Sequence, residues 1–439
     1  MREMDIAFDT PRCRTHRAGH WPIARTPPSR GRGGSRDEWL ARPTDAAPAE
    51  ARGRGCRRAC SGGGFALGLR LLFALLAALM LLGAAPAQAD GAKPDYPAVV
   101  AGRTLAFPQD FGAHPDYRTE WWYITGWLRD AAGVERGFQL TFFRVRTRIG
   151  DDNPSRFAPR QLILAHAAVA DPATGRLRHA ERSGRAYPGL VEAQEGRTAV
   201  RVDDWFLDGG ETPEAPYRSR IEAEDFAFEL EFVADRPPVA NGKAGFSQKA
   251  PDPLNASYYY SRPQLAVSGT LRLDDTAVTV SGHAWLDHEW SSEILPAGAR
   301  GWDWIGINLH DGGGLMGFQM RDGEGRAMWG AGTLSDASGK TTVFGPEDLH
   351  FTPVRRWRSP RTGIDYPVEW ELELADGRRF RIQPLMDDQE LDSRASTGAI
   401  YWEGAVRLLE MPGGESGAGG RELGHGYLEM TGYADRLRL

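Results

Sequence analysis

Gly137-Phe-Gln-Leu-Thr-Phe-Phe-Arg-Val-Arg146 follows Thr119 to Leu128 through the turn Asp130-Ala-Ala-Gly133, and this pairing sets the reading of the chain. Two runs rich in aromatic and β-branched residues on either side of a Gly-containing turn predict a hairpin. The same rhythm recurs outward from it. Phe226, Phe228, Leu230 and Phe232 alternate with Ala227, Glu229 and Glu231, the period of two that gives a strand one buried face. Leu265 to Leu273 and Val278 to Leu286 form another pair, joined at Asp274-Asp275. Trp304 to Leu309, Leu315 to Arg321, Ala327 to Leu334 and Val343 follow between Gly/Asp turns, and Val368 to Leu374 with Arg379 to Ile382 makes a further hairpin. Short, evenly spaced strands with few amphipathic helices predict an all-β sandwich or barrel.

The first 89 residues stand apart. Residues 1 to 60 are rich in Arg, Pro, Gly and Ala without apolar periodicity, so they bury too little to offset ordering entropy. They read as disordered, or as an upstream extension that is not translated. Within 61 to 89, Arg70 leads into the apolar run Leu71 to Leu82 and then Ala87-Gln-Ala89, the layout of a secretory signal peptide. A secreted or periplasmic protein is therefore expected. Removing this segment takes away 14 Arg and 7 Asp/Glu and leaves a net charge of −13 over 350 residues. A chain that acidic, without a dense basic run, is ill suited to nucleic acid, DNA included, or to anionic lipid head groups. All three cysteines, Cys13, Cys56 and Cys60, lie in the removed part, so the mature chain has neither disulfide nor thiolate chemistry. The remainder is long for one domain, and the Pro/Gly break Leu295 to Gly301 divides it into 90–296 and 297–439.

That break interrupts the densest stretch of chemistry in the chain, Ser281-Gly-His-Ala-Trp-Leu-Asp-His-Glu-Trp-Ser-Ser292 and Gly301-Trp-Asp-Trp304. Two histidines, four tryptophans and the carboxylates Asp287, Glu289 and Asp303 make it the candidate functional centre. No nucleophile elbow, phosphate loop or dinucleotide fingerprint occurs in the mature chain, which removes the usual anchors of serine hydrolase and nucleotide chemistry. His283 and His288 are an odd number of positions apart, which on a strand points them to opposite faces, so no metal is expected. Indole walls such as Trp302 and Trp304 beside Asp303, or Trp290 beside Glu289, would desolvate a carboxyl group and keep it protonated as a general acid. For Glu369, Glu371 and Glu403 the same alternation argues the opposite: a buried Trp sends its acidic neighbour to solvent. The adjacent pair Trp121 and Trp122 must leave the sheet on both sides, one of them being a candidate wall of a ligand cavity. Tyr258 and Tyr260 share a face and suit a pocket or its rim.

Phe107-Pro-x-Asp-x-Gly-x-His-Pro, Thr119-Glu-Trp-Trp-Tyr-x-Thr-Gly126, Trp285-Leu-Asp-His-Glu-Trp-Ser291 and Gly301-Trp-Asp-Trp304 together resemble the AttH-like family of secreted lipocalin-like proteins, related to the carotenoid 1,2-hydratases (hydroxyneurosporene synthases). Gly245-Phe-Ser-x-Lys249 with Ser257-Tyr-Tyr-Tyr-Ser261, Tyr401-Trp-Glu-Gly-Ala-Val406 and Gly424-His-Gly-Tyr-x-Glu-Met-Thr-Gly-Tyr433 extend the resemblance over nearly the whole mature chain. It implies two lipocalin-like antiparallel β-barrel domains side by side and an apolar cavity for a hydrophobic small molecule: a lipid, isoprenoid or polyene. It further implies cofactor-free acid–base hydration of a carbon–carbon double bond. Carried over, Asp303 or Glu289 protonates the alkene, Trp290 faces the carbocation and His288 activates water. The AttH branch also implies two other roles, a secreted hydrolase and a lipid-carrying companion of an envelope ABC transporter.

Overall fold

The computed structural model describes residues 96–411 and 420–436. The segments read as an extension and a signal peptide, with all three cysteines, lie outside the described residues. Those described form β-strands and one three-residue 3-10 turn, Gln109–Phe111. The first sheet begins with β1 (Thr119–Asp130), β2 (Glu135–Arg146), β3 (Gln161–Asp171) and β4 (Arg176–Arg185). It continues with β5 (Val191–Ala193), β6 (Thr198–Val202), β7 (Trp205–Gly209), β8 (Tyr217–Glu222) and β9 (Phe226–Val233). The short β10 (Val239–Ala240) and β11 (Phe246–Gln248) lie against β12 (Ala256–Leu273), which turns into β13 (Thr276–Glu293). The second sheet comprises β14 (Ala299–Leu309), β15 (Gly314–Asp322), β16 (Ala327–Ser335), β17 (Thr341–Phe344) and β18 (Leu349–Arg358). It is completed by β19 (Asp365–Leu374), β20 (Arg379–Pro384), β21 (Glu390–Ser393), β22 (Ala399–Glu410) and β23 (Glu422–Met430).

Hydrogen bonding orders the first sheet β4-β3-β2-β1-β13-β12-β9-β8-β7-β6-β5 and the second β17-β16-β15-β14-β23-β22-β20-β19-β18. All pairs are antiparallel, so each sheet is an up-and-down ribbon that coils on itself. The first nearly closes: a Cβ on Gly184 of β4 would lie 2.8 Å from the side chain of Val191 in β5. The second forms a half-barrel, with Leu349 of β18 reaching back to Gly332 of β16. These are the two lipocalin-like barrels implied by the resemblance.

The alternating residues of β9 behave as their pattern dictates. Phe226, Phe228, Leu230 and Phe232 are buried in the first core with Ile124, Leu140, Trp205 and Leu286, while Glu229 is exposed. Each such side chain contributes about 2–3 kcal/mol of burial. The hairpin at Asp274-Asp275 is longer than the sequence pattern showed, because β12 and β13 run for 18 residues each. A register shift between Arg262 and Leu265, with Gln264 at φ 62°, bends β12 midway. The bend lets one strand serve the barrel wall and then the inter-barrel face.

A third apolar cluster belongs to neither core. Tyr123, Trp127, Tyr259 and Trp285 from the first sheet pack there against Trp304, Phe318, Met320 and Tyr427 from the second. The Nε1 of Trp127 donates to Gly426 O at 3.0 Å and that of Trp304 to Tyr259 Oη at 3.1 Å. The outer faces of the two barrels are thereby joined into a shared interior.

Candidate functional site

Register decides where each side chain of the crowded segment goes. Across β3, β2, β1, β13 and β12 one row reads Leu164, Phe143, Trp121, Glu289, Tyr259, and the next but one His166, Thr141, Tyr123, Asp287, Ser261. Both rows point toward the second barrel. The row between them, Phe142, Trp122, His288, Tyr260, points into the first barrel, as does Arg144, Glu120, Trp290, Tyr258. On the second sheet, Phe318, Trp304, Glu429 and Glu403 stand opposite one another across β15, β14, β23 and β22.

Between these outer faces lies a cavity of about 270 Å³. Its apolar walls are Trp121, Phe143, Val145, Leu162, Ile294, Trp302, Trp304, Phe318 and Met320, and polar groups converge on it from both barrels, among them Glu120, Arg144, Lys249, Asp287, Glu289, Glu403 and Glu429. Polar groups converging in an apolar cleft between domains are the usual form of a small-molecule site.

The carboxyl groups are far from equivalent. Asp287 accepts from Tyr259 Oη at 2.6 Å, Ser261 Oγ at 2.5 Å and Trp285 Nε1 at 2.6 Å. Burial nevertheless outweighs those donors and pushes its pKa up to about 7. Burial likewise raises Glu429 to about 8, against the single donor Trp302 Nε1 at 2.9 Å. Glu403 is raised well above the carboxylate range, first by burial and then by Glu429 across the ladder. Among the described residues its Oε2 has no hydrogen-bond partner, nor do the hydroxyls of Tyr123 and Tyr427, whose pKa values burial drives well upward. Two acids directly opposite in a low-dielectric wall cannot both ionise, so at neutral pH the Glu403–Glu429 pair keeps a proton. Glu289 differs. Lys249, buried on the loop after β11, places Nζ 2.8 Å from its carboxylate, and Ser257 Oγ donates to the same oxygen. The ammonium also sits 4.2 Å from the ring centre of Phe318, so its charge is met on two sides.

Of the candidates read from sequence, the structure gathers Glu289, Trp121, Trp302 and Trp304 around this cavity. It separates the others. His288 and Trp290 point into the first barrel with Trp122, Tyr258 and Tyr260, and Asp303 points into the second. The combination of Asp303, His288 and Trp290 at one reacting centre is corrected by this alternation: neighbours on β13 and β14 leave the sheet on opposite sides.

His288 belongs to a buried polar cluster. Glu120, with no solvent exposure, accepts from Arg144 Nε at 2.7 Å and lies 2.7 Å from His114 Nδ1 and 2.9 Å from His288 Nε2. Tyr260 Oη closes the other side of His288 at 3.1 Å, Asp110 meets His114 at 3.0 Å, and the His114 ring stacks on Trp290 at 3.7 Å. Burial depresses His288 despite Glu120, whereas Glu120 and Asp110 overcome burial at His114 and raise it. Asp303 is pinned by Arg321 Nε at 2.7 Å, Gln319 Nε2 at 2.8 Å and Tyr433 Oη at 3.0 Å.

Among the described residues, two sets of side chains have the donor types for a metal ion: His114, Glu120, His288, and, on the second barrel, His310, Glu422, His425. In each the carboxylate already receives both imidazoles and an arginine, Arg144 or Arg407, which accounts for the geometry as hydrogen bonding. Neither set opens into the inter-barrel cavity except through Glu120.

Glu403, Glu429 and Lys249 line the cavity without being among the sequence candidates, whereas Asp287 belongs to the crowded segment. The signals of the first three are present in Tyr401-Trp-Glu-Gly404, Gly424-His-Gly-Tyr-x-Glu429 and Gly245-Phe-Ser-x-Lys249. Alternation predicts a solvent-facing Glu403 beside a buried Trp402; in the structure both are buried, Trp402 in the second core and Glu403 against the first barrel. Glu369 and Glu371 do lie on the outside, paired with Arg355, Arg379 and Arg381.

Comparison with known proteins places this arrangement. A crystal structure of a candidate AttH from Nitrosomonas europaea superposes with a TM-score of 0.70 at 47% identity, covering 77% of this chain and 99% of that one. Kievitone hydratase from Nectria haematococca shares the fold at a TM-score of 0.57 and 16% identity, covering 77% of this chain and 96% of that one. In sequence, kievitone hydratase of Fusarium solani subsp. phaseoli is 23% identical over 203 residues, 43% of this chain and 53% of that protein. The chain thus spans about half the length of that relative. The AttH-like family model matches residues 98–433, from the entry segment through the last strand, and the chain belongs to the AttH-like family.

Proposed function

We propose that the inter-barrel cavity binds an unsaturated apolar small molecule, such as an isoprenoid or polyene, and adds water across one of its carbon–carbon double bonds. The observation that carries this reading is the Glu403–Glu429 pair: two carboxyl groups, retaining a proton at neutral pH, set in a wall of indole and aliphatic side chains. A buried, protonated acid is what hydration of an unactivated alkene requires of a protein. The π pair of the alkene takes that proton and forms a C–H bond at one carbon. The cationic neighbour faces Trp121, Trp304 and Phe318, whose π clouds stabilise positive charge. Water oxygen then bonds to the cationic carbon and releases a proton to the dyad, so the net change is addition of water. Glu289, held by Lys249, adds a fixed negative charge beside the cation. The relatives named for hydration of kievitone support the reaction class.

In this reading the leader-like segment at 61–89 delivers the protein to the periplasm or beyond, where it meets its ligand. The test is incubation with kievitone, acyclic isoprenoids and polyenes in oxygen-labelled water, with mass spectrometry of the products. A labelled alcohol formed by the wild type but not by Glu403→Gln or Glu429→Gln supports hydration. Ligand bound and recovered unchanged would overturn it in favour of a carrier serving an envelope transporter, and cleavage into two products, one of them carrying the label, in favour of a hydrolase.

A further inference from the structure

Val145 and Leu162, which line the cavity, are cross-strand partners at the connected end of the β2–β3 hairpin. The connection from Thr147 to Arg160 follows directly, and it is built unlike the rest of the surface. Ile149 is 62% exposed and Phe157 67% exposed, and beside them Leu190 is 54% exposed. Phe157 stacks on Tyr187 with ring centres 5.5 Å apart, so the aromatic pair projects as a unit. Around this apolar tip stand Arg148, Arg156, Arg160 and Arg185, all exposed. Arg148 engages Asp151 at 3.6 Å. Arg160 and Arg185 spend their hydrogen bonds on backbone carbonyls of Gly150, Asn153 and Phe157, and with Arg156 they make no ion pair among the described residues. Against the three arginines of the loop and Arg185 of β4 stand Asp151 and Asp152 in the loop and Glu192, which accepts from Gly189 N beside Leu190.

We infer that this tip docks on a lipid bilayer bearing anionic head groups and passes the apolar ligand between bilayer and cavity. Exposed aromatic and aliphatic side chains ringed by arginines, three of them without an ion pair among the described residues, match the acyl and head-group layers in turn. The net charge of −13 expected for the mature chain argued against anionic lipids, but a local excess of cations governs contact once it lies within a Debye length of the surface. Position supplies the purpose, which rests on the apolar-ligand reading of the cavity. The loop that carries Phe157 joins the strands on which Val145 and Leu162 line the cavity, so a docked tip holds the site close to the bilayer.

Flotation of the mature chain with vesicles of phosphatidylcholine, and of phosphatidylcholine mixed with phosphatidylglycerol, tests the docking without any ligand. The wild type is expected to float with the mixed vesicles and to be released by salt. Ile149→Asp with Phe157→Asp should weaken binding by more than about tenfold, and each of Arg156→Gln, Arg160→Gln and Arg185→Gln by about fivefold. All five positions are exposed, so unchanged thermal unfolding will show that folding is intact. Failure of the wild type to float, equal flotation with pure phosphatidylcholine, or equal flotation of the variants would overturn the inference. Flotation with failed ligand binding would overturn the cavity reading alone, and ligand binding without flotation the docking alone.

Discussion

Replacing Glu429 by Gln keeps the shape of the side chain and an oxygen for Trp302 Nε1, but removes a group that titrates differently in the folded and unfolded chain. Burial holds Glu429 at about 8 against an ordinary 4.5. An acid whose folded pKa lies above its unfolded one keeps its proton in the folded state after the unfolded chain has released it. Its favourable contribution is therefore complete below the unfolded value and is lost as pH rises toward the folded one. Each pKa unit between the two states corresponds to ~1.4 kcal/mol, so the interval sets a ceiling of about 5 kcal/mol. Because Glu403 titrates with Glu429, and because buried charge draws in water and relaxes its surroundings, about 2–3 kcal/mol should survive. Urea unfolding followed by tryptophan fluorescence at about pH 5 and about pH 9 measures it. The wild type should lose that much more stability over the interval than Glu429→Gln, with the variant the more stable at the alkaline end. If the two profiles run parallel, Glu429 is ionised in the folded protein, and the proton donor of the proposed hydration does not exist.

The same titration governs rate: hydration should fall as pH rises through about 8, the limb on which the dyad loses its proton, as read from the pH profile of turnover. Lys249→Met leaves the buried Glu289 carboxylate without its ammonium and should cost about 3–5 kcal/mol in urea unfolding, most of it recovered by adding Glu289→Gln. Gly137→Ala places a Cβ 2.5 Å from Ala405 Cβ and 2.9 Å from Tyr427 Oη, across the inter-barrel face. It should cost about 1–3 kcal/mol and weaken ligand binding by prising the faces apart, as calorimetry of unfolding and a ligand titration will show.

The barrels were legible from sequence because strand period and turn chemistry are local. Phe226 to Phe232 alternate, Asp130 to Gly133 turn, and no distant residue is needed to say so. The site was legible only as a location. Ser281 to Trp304 reaches the inter-barrel cavity, yet its members divide among three interiors: His288 in the first barrel, Asp303 in the second, and Asp287, Glu289, Trp302 and Trp304 between them. Alternation fixed that division in principle, since it states which residues share a face. It does not state what covers a face. Glu403 shows the consequence. The rule that a buried Trp402 exposes its neighbour holds for a lone barrel, whose outer face meets water, and fails where that face meets a second barrel. The inverse inference is then available from sequence. An outward-facing row that carries Trp304 and Phe318 beside Glu429 and Glu403 is too apolar for solvent and too acidic for a core. The environment that satisfies both halves of such a row is a closed cleft holding protons, and two barrels packed face to face provide it.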